Sequence, residues 1–261
     1  MITAASNSRI KRLVQLNQKS KLRRTEDVFL AEGVKMFLEA PREQLQEVYV
    51  SESFLEKCSC REYLEEVGYE VVSDSVFSKI SDTCTPQGIL CVLKQFHYNI
   101  EEMLRDKAPL FLLLENIQDP GNLGTMLRTG EGAGVSGIIM SRDTVDLYNP
   151  KVIRSTMGSI YRVPFYYADD FAAAVHQVQQ AGVSVYAAHL RGKNSYACQD
   201  YTKGTAFLIG NEGNGLREET AELADCYIRI PMEGKVESLN AAVASSILMY
   251  EAHRQRAMIE K

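Results

Sequence analysis

Short apolar runs alternate with helical hydrophobic patterns along residues 1–97. Runs of four to six apolar residues bounded by turn-forming residues are typical of strands, whereas apolar residues three or four apart are typical of helices. The alternation predicts a compact α/β/α unit. The predicted helices cover 8–21, a stretch through 36–38, 54–67 and 75–81, and the predicted strands cover 28–33, 48–50, 69–72 and 88–93.

A polar, irregular stretch at 98–109 predicts a linker. Beyond it, apolar runs alternate regularly with helical segments, a pattern that predicts a parallel sheet. A final helix over 238–256 would place Leu239, Val243, Ile247 and Tyr250 on one face, and the small residues Ala242, Ser245 and Ser246 beside it would let a partner pack closely. The predicted strands are 110–114, 137–140, 163–167, 183–188, 206–209 and 226–230.

Two glycine-containing loops follow strands in this second part. One is Phe-Leu-Ile-Gly-Asn-Glu-Gly-Asn-Gly-Leu at 207–216, and the other is Ile-Pro-Met-Glu-Gly-Lys-Val-Glu-Ser-Leu-Asn at 230–240. Loops at the carboxyl ends of parallel strands form the usual ligand crevice of an α/β sheet. Neither loop has dinucleotide or Walker spacing, and Glu212 would repel a phosphate. A neutral or cationic ligand with an adenosine group fits better.

A third motif lies at 116–130, Asn-Ile-Gln-Asp-Pro-Gly-Asn-Leu-Gly-Thr-Met-Leu-Arg-Thr-Gly. Its Asp-Pro-Gly-Asn sequence predicts a turn that leads into a helix with Asn122 as the N-cap. Arg128 lies off the apolar stripe of that helix. A capped helix with a surface arginine explains the motif by itself. The glycines weaken that interpretation, because each disfavours a helix by up to about 1 kcal/mol relative to alanine. By the same reasoning Ser238 is the predicted N-cap of the last helix.

Composition excludes several classes of protein. The chain has 261 residues and 45% hydrophobic residues, without an apolar run long enough for a membrane span. Its first residues lack the pattern of a signal peptide. The six cysteines form no Cys-x-x-Cys pair and only four histidines are present, so a metal site is not expected. We expect a reduced, cytoplasmic protein.

The charge is unevenly distributed. The net charge is −5, but residues 1–24 contain no acidic side chain. Because screening confines a charge's field to roughly 8 Å at physiological salt, this local basic segment is sufficient to contact RNA phosphates. A solvated amphipathic helix is the alternative. The basic residues are Arg9, Lys11, Arg12, Lys19, Lys21, Arg23 and Arg24.

Taken together, Asp-Pro-Gly-Asn-Leu-Gly-Thr-Met-Leu-Arg-Thr, Ile-Gly-Asn-Glu-Gly-Asn-Gly-Leu and the stretch 230–244 resemble the three motifs of the SpoU (TrmH) family of RNA ribose 2′-O-methyltransferases, in the SPOUT superfamily. The resemblance covers 110–251. More loosely, residues 29–40 and 87–93 resemble an L30e-like substrate-binding domain. The resemblance implies an L30e-like RNA-binding domain at 1–97, a linker at 98–109 and a SPOUT methyltransferase domain at 110–261 with a deep trefoil knot.

The resemblance also implies the cofactor, the partners and the site. It implies S-adenosylmethionine as cofactor, no metal, a homodimer, and RNA as substrate, with ribosomal RNA favoured over transfer RNA because of the amino-terminal domain. A non-catalytic RNA-binding protein and a nicotinamide-dependent oxidoreductase are the alternatives. The implied catalytic residues are Asn122, Arg128, Glu212, Ser238 and Asn240, and the implied cofactor contacts are Leu208, Gly210, Ile230, Met232, Ser238 and Leu239.

In the family's reaction, a ribose 2′-hydroxyl attacks the methyl group of the sulfonium. Arg128 is the residue that the family pattern nominates to deprotonate the hydroxyl. An arginine side chain is a poor base because it stays protonated in proteins. Binding the neighbouring phosphate and stabilising the developing alkoxide is the easier role for Arg128.

Overall fold

The structure is a computed structural model that describes residues 1–259, and the chain divides into two compact units. The first unit contains residues 1–96 together with 146–161, and the second contains 97–145 and the residues from 162 onward. The sequence pattern groups 146–161 with the second part of the chain. The predicted domains at 1–97 and 110–261 divide the chain into consecutive stretches. These boundaries stay a prediction.

The first unit is built on a mixed four-stranded sheet. Its strand order is β1–β4–β2–β3, with β4 antiparallel to β1 and to β2, and β3 parallel to β2. Near the amino terminus, Ile2 extends the edge through a bridge to Val72. The strands are β1 (Val28–Glu32), β2 (Leu45–Ser51), β3 (Glu70–Val72) and β4 (Ile89–Lys94).

Two long helices predicted for this unit are each divided in two. Lys19 is extended, with φ −117° and ψ 104°, and ends the first helix before residue 21. The predicted helix over 54–67 is interrupted around Ser59, a residue type that favours turns over helix interiors. The helices are α1 (Ser8–Gln18), α2 (Ser20–Glu26), α3 (Val34–Glu39), α4 (Glu52–Lys57), α5 (Arg61–Val67) and α6 (Asp74–Ile80).

The second unit has a seven-stranded sheet in which every pair of neighbouring strands is parallel. This confirms the parallel sheet predicted from the sequence. The order is β7–β6–β5–β10–β8–β11–β9. Only the edge strand β9 was not predicted, because two residues leave no periodicity. The strands are β5 (Leu110–Leu114), β6 (Gly137–Ser141), β7 (Phe165–Ala168), β8 (Ser184–Ala188), β9 (Asn194–Ser195), β10 (Thr205–Ile209) and β11 (Cys226–Arg229).

Helices cover both faces of this sheet. Alternate strand residues such as Phe111, Leu113 and Leu208 share a buried core with α7 and α10 on one face. On the other face α12 packs against α8, β5 and β10. The helices after residue 97 are α7 (Ile100–Met103), α8 (Pro120–Ala133), α9 (Pro150–Thr156), α10 (Phe171–Gln180), α11 (Glu218–Ala221) and α12 (Ala241–Ile259).

Helix α7 lies in the stretch 98–109, which the sequence predicts to be irregular. Its residues Ile100 and Met103 are buried in the core of the second unit. A Cβ atom on Gly137 would lie 2.1 Å from the Met103 methyl carbon, so glycine at the start of β6 makes room for this contact. The amino-terminal half of the expected linker is therefore part of the packed unit.

Helix α9 and its flanking residues belong to the first unit through specific contacts. Tyr148 accepts a hydrogen bond from the Phe96 N–H (2.6 Å) and donates one to the Phe96 carbonyl (3.0 Å). Tyr161 donates to the carbonyl of Met36 at 3.0 Å. Asp146 forms an ion pair with Arg23 at 2.6 Å. These contacts explain why 146–161 packs with residues that lie 50 or more positions earlier in the chain.

The last helix buries its small-residue face and exposes the face that carries Val243 and Tyr250. Ala242 and Ser245 are buried, whereas Val243 and Tyr250 are 48% and 49% exposed. The small-residue face thus packs against α8 of the same chain, and the Ser246 hydroxyl donates to Thr129 Oγ1 at 3.4 Å. None of the helices described within residues 1–259 combines the length and apolar character needed to cross a membrane.

Candidate active site

The first glycine-containing loop leaves β10 through a tight backbone turn. Asn211 and Gly215 exchange two backbone hydrogen bonds of 3.0 and 2.9 Å, and Gly215 has φ +70°. A Cβ atom on Gly210 would lie 2.2 Å from the backbone carbon of Gly215 and from the nitrogen of Leu216. No side chain therefore fits at Gly210 without displacing the loop.

A cavity of about 310 Å³ lies at the carboxyl ends of β8, β10 and β11. This volume is at the lower end of the roughly 300–1,000 Å³ typical of small-molecule sites. Of the expected cofactor contacts, Leu208 does not line the cavity, because it is fully buried in the core. The cavity is lined by Ala188–Leu190, Ile209–Leu216, Ile228–Ile230, Met232, Glu237–Leu239, Ala241 and Ala244.

Three residues expected to be catalytic form one hydrogen-bonded chain. Asn240 Nδ2 donates to Asn122 Oδ1 at 2.9 Å, and Asn122 Nδ2 donates to Glu212 Oε1 at 3.0 Å. Glu212 also accepts the backbone N–H groups of Gln118 (3.1 Å) and Asp119 (3.0 Å). The three motifs of the sequence therefore meet at Glu212, since each contributes a member of this chain.

The sequence pattern predicts Asn122 and Ser238 as N-caps, and both predictions are wrong. The N-cap of α8 is Asp119, whose side chain accepts from the Asn122 N–H at 2.8 Å. Pro120 follows as the first helical residue, where its missing N–H costs nothing. At α12, Asn240 accepts the N–H of Ala242 at 2.9 Å, and Ser238 lies two residues earlier, in the loop that lines the cavity.

Hydrogen bonding keeps Glu212 ionised. Partial burial by itself would raise the pKa of Glu212. The hydrogen bonds from the Asn122 side chain and from the N–H groups of Gln118 and Asp119 outweigh it and hold the pKa below its usual range. A charged carboxylate therefore faces the cavity at neutral pH, and this suits a cationic ligand better than a phosphate.

Arg128 lies on the exposed side of α8, in the third turn after Pro120. Glu212 would be the natural partner to orient Arg128, but within residues 1–259 Arg128 has no hydrogen-bond or ion-pair partner. An exposed guanidinium without a partner in the described chain suits the binding of an external anion.

A buried carboxylate that the sequence reasoning missed supports the loop from below. Glu115 is 2% exposed and follows β5 directly. It accepts the Arg217 N–H at 2.8 Å and the Thr220 hydroxyl. The Arg217 guanidinium also pairs with Asp143. These contacts fix the end of the loop that begins at Gly210. An acidic residue directly after a buried strand is the signal that could have identified Glu115.

His189 is a second residue that the sequence reasoning missed. It follows β8 and lines the cavity. Burial lowers the pKa of His189 below its ordinary value, and the nearby Arg191 charge lowers it further. The imidazole is therefore neutral at pH 7. Because β8 is parallel to β10, the strand-end rule that pointed to the glycine loops points to His189 as well.

In the first unit, the basic residues of 1–24 differ in their surroundings. Arg12 pairs with Glu26 and Glu47, each at 2.7 Å, and Arg9 pairs with Glu70 at 3.5 Å. Arg23 is 3% exposed and donates to the Leu16 carbonyl at 2.6 Å, so it is a structural residue and not an RNA contact. The exposed residues of the set are Arg9, Lys11, Lys19, Lys21 and Arg24.

Comparison with known proteins identifies both parts of the chain. Residues 109–250 match the SpoU rRNA Methylase family, and residues 7–91 match the MRM3-like substrate binding domain. The chain is 33% identical to the 23S rRNA (guanosine(2553)-2'-O)-methyltransferase RlmP of Bacillus subtilis, over 95% of this chain and 97% of RlmP.

Two solved structures show the same fold. The AdoMet-bound rRNA methyltransferase from Sinorhizobium meliloti has a TM-score of 0.84 and 31% identity, and the match covers 97% of each chain. The SpoU methyltransferase AviRb from Streptomyces viridochromogenes, in complex with AdoMet, has a TM-score of 0.87 and 26% identity over 96% of this chain and 98% of AviRb.

The fold and the cavity at its strand ends define a methyltransferase with a parallel α/β sheet. The chain belongs to the SpoU rRNA methylase family and carries that family's amino-terminal substrate-binding domain. It is an S-adenosylmethionine-dependent RNA ribose 2′-O-methyltransferase, as the sequence motifs predicted. The non-catalytic and oxidoreductase alternatives are thereby excluded.

The cavity fits this cofactor. Its walls combine apolar side chains such as Ile230, Met232 and Leu239 with the backbone of a loop that admits no side chain at Gly210. The ionised Glu212 lies at the same cavity, and His189 is neutral there. Both features favour a ligand with a positively charged sulfur over a dinucleotide pyrophosphate.

Proposed function

We propose that the protein methylates the ribose 2′-oxygen of a guanosine in 23S ribosomal RNA. The observation that carries this proposal is the match to RlmP, which extends over nearly the full length of both chains and so includes the substrate-binding unit. RlmB of Ralstonia nicotianae, also named as a 23S rRNA guanosine methyltransferase, is 34% identical over 62% of this chain.

Transfer RNA is the less favoured substrate. The TrmH/SpoU tRNA modifying enzyme of A. aeolicus has a TM-score of 0.54 and covers only 62% of this chain. The extra unit at the amino terminus has the family pattern of a substrate-binding domain, and a large structured RNA gives such a domain a second surface to bind.

In the proposed mechanism, Gly210, Ile230, Met232, Ser238 and Leu239 hold S-adenosylmethionine, mostly through backbone groups and apolar contact. When bound, the cofactor supplies a methyl group activated by a positively charged sulfur. Ser238 has no hydrogen-bond partner within the described chain, so its hydroxyl is available to the ligand. Leu208 supports the cavity from the core behind Ile209 and makes no direct contact.

The hydrogen-bonded chain from Asn240 through Asn122 to Glu212 fixes the first turn of α8 relative to both loops. Arg128, two turns further along, would bind the phosphate next to the target ribose and donate a hydrogen bond to the 2′-oxygen, whose proton passes to solvent water. Stabilising that developing charge contributes a few kcal/mol in comparable sites, which is a factor of about 10²–10³ in rate.

We also propose that the exposed basic residues of the first helices contact RNA phosphates. Replacing Lys11, Lys19 and Lys21 together by glutamine is expected to weaken binding of ribosomal RNA. Each phosphate contact to a single strand contributes about 0.7 to the slope of log affinity against log salt, so the slope should fall by up to about 2. Filter binding between 50 and 200 mM salt, a range over which such effects are large, measures both quantities.

The matched control replaces Lys57, Lys79 and Lys94, three exposed lysines of the same unit, by glutamine. This control has the same net charge as the first triple variant, but its residues 1–24 are unchanged. An equal loss of slope in both triple variants would show that net charge alone is responsible. An unchanged slope in the first variant would remove this segment from the RNA-binding surface.

We propose three further properties that the family resemblance implies: a trefoil knot in the second unit, a homodimer and a cytoplasmic location. The exposed apolar side chains Val243 and Tyr250 on α12 support the dimer, with Ile247 half-buried between them. Sedimentation equilibrium tests it: a mass of twice 29.3 kDa supports the dimer, and a monomer at micromolar concentration refutes it.

The substrate proposal is tested by mapping 2′-O-methyl groups in total RNA from a strain that lacks the gene. Loss of one 2′-O-methylguanosine from 23S rRNA, restored by the wild-type gene, supports the proposal. Loss of a methyl group from transfer RNA with 23S rRNA unchanged would refute it.

A further inference from the structure

The first unit contains a cavity of its own, of about 260 Å³, between β1, the loop that precedes β4, and α9. We name it the Glu32 cavity. Its apolar lining includes Met36, Ile153 and Met157. Its polar lining includes Glu32, Gln87 and Arg154, together with Asn17, Lys35, Asp82, Thr83 and Thr85. A cavity in which polar groups converge beside apolar side chains is a candidate ligand site. Nothing in the methyl-transfer chemistry uses these residues.

The carboxylate of Glu32 is held in place but retains acceptor capacity. The Ser81 hydroxyl lies 2.8 Å from both carboxylate oxygens, and the Thr83 hydroxyl lies 3.0 Å from one of them. Two hydroxyls donate one proton each, whereas an ionised carboxylate offers about four acceptor positions. Glu32 is half-buried, and its remaining acceptor positions are therefore open to a ligand that carries N–H donors.

Gln87 supplies a donor to the same cavity. Its Oε1 accepts the Val34 N–H at 3.0 Å, which assigns the other end of the amide as the Nε2 donor. Gly33 makes this arrangement possible, because its φ of +111° suits glycine and a Cβ there would lie 3.0 Å from Gln87 Oε1. A carboxylate acceptor and an amide donor thus line one cavity, beside the apolar side chains of Met36 and Ile153.

We propose that the Glu32 cavity binds a guanine base that is splayed out of the RNA, an inference that rests on the RNA-directed activity. Guanine presents two adjacent donors, N1–H and the amino group at C2, to a carboxylate, and its O6 accepts from Gln87. Adenine presents an acceptor nitrogen at the corresponding position, and uracil has a single N–H between two carbonyls. Single-stranded bases are commonly recognised in this way, by their Watson–Crick edges and by contact with the ring faces.

Arg154 adds a cation at the rim. Its Nη1 lies 3.2 Å from the Asp82 carbonyl oxygen and 3.5 Å from the Asp82 carboxylate, and its other nitrogens have no partner among the described residues. They remain available for the phosphate of the bound nucleotide. Met36 and Met157 provide polarizable thioether groups against the base.

The test uses the full-length protein with ¹³C-labelled methionine methyl groups. Saturating S-adenosylhomocysteine keeps free nucleotides out of the second cavity. Titration with 5′-GMP is expected to shift the methyl signals of Met36 and Met157 and not that of Met126, which is buried in the second unit. AMP and UMP are expected to bind at least ten times more weakly. Glu32→Gln and Gln87→Leu should each weaken GMP binding about tenfold or more.

Glu43→Gln, at an exposed position on the same unit, is the control and should bind GMP as the wild type does. The melting temperature of each variant shows that it is folded, and calorimetry with S-adenosylmethionine shows that the methyltransferase cavity is intact. Glu32→Gln removes the carboxylate and Gln87→Leu removes the amide donor. Either variant is a sufficient test of the proposal if it is folded. Unshifted Met36 and Met157 signals, equal affinity for AMP, or undiminished GMP binding in a folded Glu32→Gln or Gln87→Leu variant would overturn the proposal.

Discussion

Replacing Arg128 by alanine is expected to abolish methyl transfer, with a loss of at least about 10³-fold in kcat, equivalent to roughly 4 kcal/mol. The affinity for S-adenosylmethionine should be nearly unchanged, since Arg128 does not line the cofactor cavity and has no partner within the described chain. Transfer of a radiolabelled methyl group to ribosomal RNA measures the first quantity, and calorimetry measures the second.

The control for this prediction is Arg105→Ala, which removes an exposed arginine of the same unit. It should keep wild-type turnover. Turnover retained in Arg128→Ala would show that another group stabilises the reacting oxygen.

Arg128→Lys separates the two roles discussed for this residue. Lysine keeps the charge but cannot form the two parallel hydrogen bonds of a guanidinium. If Arg128 acts as a phosphate and alkoxide clamp, this variant should recover part of the activity at all pH values between 6 and 9, a range below the ordinary lysine pKa of about 10.4. If the residue acts as a base, activity should rise steeply with pH, because the neutral amine becomes more abundant.

The second large effect is expected from Gly210→Ala. The added methyl group would lie 2.2 Å from the backbone of Gly215 and Leu216, much closer than any real contact, so the loop must move. Because that loop forms one wall of the cavity, the affinity for S-adenosylmethionine should fall at least about 100-fold, or 2.7 kcal/mol. Calorimetry checks the prediction, and thermal melting shows whether the rest of the chain stays folded.

Gly234→Ala is the matched control. Gly234 lies in the loop that follows β11, does not line the cavity, and has no atom within 4 Å of an added Cβ. It should bind the cofactor as the wild type does. Wild-type affinity in Gly210→Ala would mean that the 210–216 loop is not the wall of the cofactor site.

The fold of the second unit could be predicted from the sequence because its central strands β5, β6 and β10 are short and fully buried. Leu110–Leu114 is a continuous apolar run, and so is Thr205–Ile209 after its first residue; in a parallel sheet such runs end at a common edge. The position of the cavity followed from that rule and from two glycine-containing loops. Gly210 shows the physical basis, because only glycine fits there.

The N-caps of α8 and α12 were predicted at the wrong residues for a local reason. Several residues near each helix start have good capping side chains, and side-chain type alone does not select among them. Pro120 was the overlooked signal at α8, because proline at the first helical position makes the preceding Asp119 the cap. At α12 the position of the capping residue Asn240 depends on the hydrogen bond that its side chain donates to Asn122, which lies more than 100 positions earlier in the chain.

The role of segment 146–161 could not be predicted at all. Its contacts to Phe96, Met36 and Arg23 are between residues that lie 50 to 125 positions apart. Periodicity reports only which face of an element is buried, and not which partner buries it. For the same reason the sequence pattern did not show that the face of α12 with Val243 and Tyr250 is exposed.

The central claim is that this protein transfers a methyl group from S-adenosylmethionine to a ribose oxygen of RNA. The most direct measurement incubates the purified protein with tritiated S-adenosylmethionine and unmodified ribosomal RNA, digests the RNA to nucleosides and locates the label. We predict label in a 2′-O-methylated nucleoside, absent with Arg128→Ala. Label in a base-methylated nucleoside would contradict the account.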